Sequence, residues 1–271
     1  LLGNGHSATA AQKAEPAQPQ SAPATAPSSE ADVQSGLLDS FRSSLPATLV
    51  GVRAQLQTLF RAGNEELRLK QVQELYRRIH ILTGNAAVVG MLRIAQVADA
   101  LEALLKELYE KPKNINASTL RTVASTVDFL AVLAERGMDP ANQEIPTANI
   151  LVVDDEAISR RAITHALEKA KLKCSGSEDP NKALDMLKAT TYDMVILDVD
   201  MPGMNGFELC AKLRALPAYK KTPVVFVTGL NDFESRANST MSGGNDFIAK
   251  PFLFMELAVK ALVFILRGKL G

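Results

Sequence analysis

ILDVDMPGMNG, residues 196–206, runs from apolar residues into an acid and then into a turn rich in proline and glycine. The same grammar recurs on either side. ILVVDDE spans residues 150–156, FVTG residues 226–229 and DFIAKP residues 246–251. Apolar runs of this length, alternating with helical stretches of roughly ten to fifteen residues, predict a parallel α/β sheet. Sites in such sheets form at the carboxyl ends of the strands. Asp154, Asp155, Asp198, Thr228 and Lys250 each stand where an apolar run ends, so one edge gathers three carboxylates, a hydroxyl and an ammonium. Carboxylates that close repel one another unless a cation joins them. Hard oxygen ligands favour Mg²⁺, which keeps several waters and often carries a phosphoryl group.

An Asp that follows a strand is often no more than a helix cap or turn residue. The order of all these motifs is a stronger signal. From about Ala148 to Gly271 the chain resembles a response-regulator receiver domain, which implies a doubly wound (βα)5, flavodoxin-like fold. In that family the residue matching Asp198 accepts a phosphoryl group from a phosphohistidine. The resemblance implies that Asp155, Asp198 and the backbone carbonyl of Asp200 hold Mg²⁺ directly, with Asp154 reaching it through water. It implies that Lys250 binds a phosphoryl oxygen, that Thr228 moves to bind another, and that Phe247 is an aromatic switch residue. Residue types and chemistry agree: a carboxylate nucleophile, cations that offset phosphoryl charge, and a hydroxyl donor. Asp200 departs from the uncharged residue common at that position, and a fourth acid raises the local negative potential. Gly229, after Thr228, is small, as access to the aspartate requires.

Upstream of the sheet the character changes. From Leu37 to about Gly137 there is little proline and no strand alternation. Four helices are predicted: Leu37 to Ala62, Glu65 to about Val89, Leu92 to Glu110, and Ala117 to Arg136. In the third, Ile94, Val97, Ala98, Leu101, Leu104, Leu105 and Leu108 recur at three- and four-residue steps, one apolar face. Four such helices imply an up-and-down bundle over residues 37–138, joined by a linker over 139–147 to the sheet domain over 148–271.

The second helix contains RRIHILTGNAAVVGM, residues 77–91. Arg77, His80, Gly84 and Ala87 fall on one stripe of it. An interior glycine costs about 1 kcal/mol relative to alanine. Close approach of a partner to the imidazole would explain Gly84, and so would tight helix packing. His80, Leu82, Gly84, Ala86 and Gly90 together resemble the motif of a histidine phosphotransfer (HPt) domain. That resemblance implies a phosphoryl group on His80 Nε2, exchanged with receiver aspartates, and a docking face that includes Arg77, Thr83 and Gly84. Thr83 stands where the family usually has Lys, and Arg77 or Arg78 is the candidate replacement cation. His165, in the first helix of the receiver, is expected on the surface.

Composition frames both regions. The chain has 271 residues, 46% hydrophobic and 22% charged, with zero net charge. No basic field for nucleic acid is present at that level. No apolar run approaches the roughly eighteen residues of a membrane span, and no signal-peptide pattern is read. Cys174 and Cys210 are expected as buried reduced thiols, which points to the cytoplasm. Residues 1–36, rich in Ala, Pro, Gln and Ser and containing His6, read as a disordered linker or tail. The first residue is Leu1, so a fragment of a larger sensor kinase or output protein is consistent with the chain. The expected partners are a sensor histidine kinase and other receiver or HPt domains, with homodimerisation left open. Two functions are expected. In the first, His80 and Asp198 both carry phosphoryl groups in a phosphorelay. In the alternative, only the receiver is phosphorylated and the bundle serves docking or dimerisation.

Overall fold

The computed structural model describes residues 30–136, 139, 143, 147–229 and 242–270. Most of the N-terminal tail, most of the linker and residues 230–241 lie outside the described residues, as do His6 and Gly137. The first helix, α1 (Glu30–Arg61), begins upstream of the expected Leu37. Thus part of the segment expected to be disordered is helical. The next three helices are α2 (Glu65–Val88), α3 (Leu92–Glu110) and α4 (Ala117–Arg136).

Local chemistry sets those boundaries. The Asn64 side chain accepts from Leu67 N–H at 2.8 Å and caps α2. At the other end Gly90 adopts φ +75°, which a side chain would strain. That turn lets Gly90 N–H reach Ala87 O at 3.1 Å and Met91 N–H reach Ala86 O at 2.9 Å, closing the last turn of the helix. Asn116 accepts from Ser118 N–H at 2.8 Å and Thr119 N–H at 3.0 Å, which starts α4. Leu101, Leu104, Leu105 and Leu108 of α3 meet Leu75, Ile79 and Leu82 of α2 and Val123, Val127 and Leu130 of α4 in one core. Helix α1 packs on α2 and α4, closing the four-helix bundle.

The second domain runs β1 (Asn149–Val153), α5 (Ala157–Lys169), β2 (Lys173–Ser177), α6 (Pro180–Ala189), β3 (Met194–Asp198) and α7 (Gly206–Ala215). It continues through β4 (Val224–Thr228), β5 (Asp246–Ala249) and α8 (Phe254–Lys269). The five strands are all parallel, in the order β2-β1-β3-β4-β5. This is the flavodoxin-like doubly wound sheet. Alternate residues serve opposite faces. Leu151, Val153, Val195, Leu197 and Phe226 pack with α6 and α7, whereas Ile150, Val152, Ile196, Val225 and Val227 pack with α5 and α8.

Helix α8 has two partners. Leu257, Ala261 and Ile265 face the sheet. Val259, Leu262, Val263 and Leu266 belong to the core of the bundle, packed on α3 and α4. A helix that packs on two sides is buried nearly all round, and FMELAVKALVFILRGK is buried from Glu256 to Val263, the charged Glu256 and Lys260 included. The two domains therefore share a core. Glu256, 2% exposed, accepts from Ser118 Oγ at 2.6 Å and Thr122 Oγ1 at 3.1 Å across this contact. Arg267 donates to Ser125 O at 3.2 Å and lies 5.2 Å from the Phe129 ring centroid.

Helix α4 is long and apolar enough by composition to cross a bilayer. Its apolar face, including Val123, Val127, Phe129, Leu130 and Leu133, is spent on the bundle core. Cys174 of β2 is only half-buried and Cys210 of α7 is buried; both are free thiols, and burial pushes both up in pKa.

Candidate functional site

The sheet register gathers the acids. Val153 pairs with Leu197, so Asp154 and Asp198 follow side by side, and Asp198 pairs with Val227, which sets Thr228 one step further on. The last ladder bonds lie at the same edge: Val199 N–H to Val227 O at 3.2 Å and Lys250 N–H to Thr228 O at 2.7 Å. One oxygen each from Asp154, Asp155 and Asp198 lies within 4.8 Å of the others. Asp154 and Asp198 are buried and Asp155 is exposed. The Lys250 ammonium sits 3.2 Å from Asp154 Oδ2 and 3.1 Å from Asp198 Oδ1. Thr228 is buried at the end of β4. Asp200 is exposed, and its side chain is outside the three-carboxylate group.

The electrostatics follow. Burial pushes the Asp198 carboxyl above its ordinary value; Lys250 opposes this and Asp154 adds to it. Burial alone would lower Lys250, but the hydrogen bond to Asp198 and the charges of Asp154 and Asp198 win, so its pKa is raised. The ammonium therefore stays charged between two acids. An all-oxygen donor set holding such a charge is chemically suited to a hard divalent cation.

Three features of this edge were not foreseen from sequence. Ser159 donates to Asp154 Oδ2 at 2.5 Å and Arg160 donates to Asp154 O at 2.6 Å, both from the first turns of α5. Gly206 opens α7, where an added Cβ would lie 2.1 Å from the Asp198 carbonyl oxygen. Its position inside MPGMNG was the available signal. Asn205 and Glu208 form a capping box at the same turn, fixing the helix against the strand end. Phe247 is half-buried, and the Arg121 guanidinium of α4 lies 4.9 Å from its ring centroid.

The second candidate site is on α2. His80 is exposed, with 65% side-chain accessibility. Its Nδ1 lies 2.9 Å from Glu102 Oε1 of α3, and the Tyr76 ring stacks near it at 6.1 Å. A carboxylate at Nδ1 favours the proton there, which leaves the Nε2 lone pair facing out. Glu102, 22 positions away on another helix, carried no sequence signal. Gly84 has nothing within 4 Å of an added Cβ, so helix packing does not explain it. Arg77 and Arg78 are both exposed and both pair with Glu74, at 3.9 Å and 3.2 Å, and Arg78 also lies against Gly51 of α1. Thr83 turns its hydroxyl back to Ile79 O at 2.9 Å. His165 is exposed, as expected, and meets the Phe254 ring edge-on.

The structure does not join the two sites. The receiver edge at Phe247, Ala249 and Lys250 borders the connector after α3, residues 113–119, across a cleft of about 460 Å³. His80 is beside Glu102, and Glu102 is about 12 Å along α3 from its end at Glu110, at 1.5 Å rise per residue.

Comparison with known proteins agrees with this division. The profile of the response regulator receiver domain matches residues 150–261, and that of the Hpt domain matches residues 36–134. Protein RcaC of Microchaete diplosiphon is 35% identical over 119 residues, 44% of this chain and 18% of RcaC. Transcriptional regulatory protein ResD of Bacillus subtilis is 35% identical over 128 residues, 46% of this chain and 50% of ResD. The chain thus spans half or less of the length of these curated relatives. Among solved structures, Vibrio cholerae chemotaxis protein CheY4 is 31% identical, with a TM-score of 0.41, covering 43% of this chain and 97% of that one.

Proposed function

We propose, for a chain that belongs to the two-component phosphorelay proteins through its Hpt and receiver domains, that His80 and Asp198 both carry phosphoryl groups and exchange them with partner molecules. The observation that carries this is the pairing of an exposed, oriented imidazole on one domain with a lysine-bridged carboxylate cluster on the other. Fitting partners are a sensor histidine kinase and other receiver or Hpt domains.

The receiver step is nucleophilic substitution at phosphorus. An Asp198 carboxylate oxygen bonds to phosphorus as the P–N bond of the donor phosphohistidine breaks. The electron pair returns to the ring nitrogen, leaving a neutral imidazole. Lys250 turns from its two acids to a phosphoryl oxygen, and Thr228 donates to another. Asp155, Asp198 and the backbone carbonyl of Asp200 would hold Mg²⁺, with Asp154 through water; the ion would offset charge on the phosphoryl oxygens. At His80, Glu102 holds the Nδ1 proton so that Nε2 accepts or releases the phosphoryl group. Arg77, paired with Glu74 at 3.9 Å, is an exposed cation on that face.

Exchange between His80 and Asp198 runs between molecules. The shared core keeps α8 on α3 and α4, while His80 stands up the bundle from the end that meets the receiver edge. Free thiols at Cys174 and Cys210 support a reducing, cytoplasmic setting. A second reading, a bundle that serves docking alone, is favoured by the α8 contact. Incubation with acetyl phosphate and Mg²⁺ tests the acceptor. It should leave a base- and hydroxylamine-labile phosphate that Asp198→Asn abolishes. Undiminished receiver phosphate in that variant would sink the assignment.

A further inference from the structure

Lys250, the residue placed to meet the phosphoryl group, is bracketed in the chain by the two points where the receiver edge grips the bundle. Phe247, three residues before it, lies under the Arg121 guanidinium at 4.9 Å. Glu256, six residues after it, accepts from Ser118 at 2.6 Å and Thr122 at 3.1 Å. Lys250 itself lines the cleft between these points, together with Lys113, Asn116 and Ser118 of the bundle. Its ammonium is engaged with Asp154 and Asp198 in the unphosphorylated protein.

We propose that the Hpt bundle is also the in-chain reader of the receiver: phosphorylation of Asp198 loosens the contact that β5 and α8 make with α4. This rests on Asp198 being the acceptor. A phosphoryl group on Asp198 adds three oxygens beside Lys250 and puts roughly two negative charges there in place of the carboxylate's one. The Lys250 ammonium, now held by Asp154 and Asp198, must re-form its contacts around the acyl phosphate, and the strand end that carries it follows. That backbone runs directly into Phe247 on one side and Glu256 on the other. Glu256 is 2% exposed, and its carboxylate already has two hydroxyl donors. A buried carboxylate that moves off its donors loses bonds it cannot replace with water, so displacement weakens the contact. The contact is extensive enough to matter, because Val259, Leu262, Val263 and Leu266 pack into the bundle core behind it. By thermodynamic linkage, a contact that phosphorylation weakens must itself oppose phosphorylation.

Hydrogen–deuterium exchange on the whole chain, with and without Mg²⁺ plus beryllofluoride as phosphoryl mimic, tests this. Slower exchange at residues 150–156 and 196–206, with faster exchange at 117–125 and 254–266, is expected. Protection at the acid site with unchanged or slower exchange at the contact overturns the proposal while leaving the acceptor reading intact. No protection at the acid site defeats the acceptor reading and the proposal with it. Independently, Arg121→Ala and Ser118→Ala should each tighten beryllofluoride binding, by about fivefold, the lower range of ordinary coupling between sites. Unchanged or weaker binding in both variants overturns the proposal.

Discussion

The receiver edge and the His80 face, the two proposed phosphoryl sites, are built in opposite ways. A parallel sheet brings distant residues together by register: Asp154, Asp198, Thr228 and Lys250 come from four strand ends and still share one edge. The bundle offers one imidazole on one helix, held by a carboxylate from the next. The receiver edge is enclosed, with Asp154 fully buried and Asp198 nearly so. The His80 face is open, and Gly84 beside it touches nothing. Burial among fixed partners suits the proposed acceptor, which must stabilise charge; an open face suits the proposed carrier, which must visit acceptors.

The largest expected effect breaks that comparison with one substitution made twice. Gly206→Ala sets a Cβ 2.1 Å from the Asp198 carbonyl oxygen, an overlap only backbone movement can relieve. Unfolding by urea should show the receiver destabilised by about 3 kcal/mol or more, beyond the usual cost of overpacking. Gly84→Ala meets open space inside a helix. It should stabilise the bundle by about 0.5–1 kcal/mol. Equal effects at the two glycines would erase the distinction between an enclosed and an open site.

Glu102 sharpens the comparison at the next scale. Glu102→Gln removes the charge that orients His80 Nδ1 at 2.9 Å. Phosphotransfer from His80 should slow by roughly fivefold, about the worth of one partly exposed hydrogen bond to a charged group. An unchanged transfer rate would leave Glu102 with a purely structural role.

The smallest effect concerns the far edge of the sheet. Asp193 accepts from Asn149 N–H at 2.9 Å and pairs with Lys269 of α8 at 2.8 Å. Burial alone would raise its pKa, but Lys269 and the Asn149 N–H outweigh burial, and it lies below its ordinary value. A depressed carboxyl contributes stability above its unfolded pKa and loses it as pH falls through the folded one. Asp193→Asn should therefore cost about 0.5 kcal/mol or less at neutral pH. The difference from wild type should vanish in acid, below the usual carboxylate range, in unfolding series at several pH values.

Sequence legibility divides along the same line. Motifs at strand ends announce the receiver, because a strand's apolar run and its terminal acid are adjacent in the chain. Helix boundaries were equally local: α3 and α4 begin and end where periodicity and the stop residues place them. The start of α1 was not, since residues from Glu30 on share the polar, small composition of the tail. Glu102, Ser159 and Arg121 act on residues far away in sequence or on another element, and no spacing encodes those meetings. The docking of α8 on the bundle had a signal that went unread: FMELAVKALVFILRGK has only a narrow polar stripe, Glu256, Lys260 and Arg267, and no broad polar face. A helix covering only its own sheet would keep one.

Exchange between chains is the central claim, and mixing two variants tests it most directly. An Asp198→Asn chain, loaded at His80 with phosphoramidate, is combined with a His80→Gln chain and Mg²⁺. Acid-labile phosphate should leave the first chain as base-labile phosphate appears on the second, at a rate proportional to protein concentration. Label that stays acid-labile on the first chain, while wild type converts at a rate independent of concentration, would contradict the account.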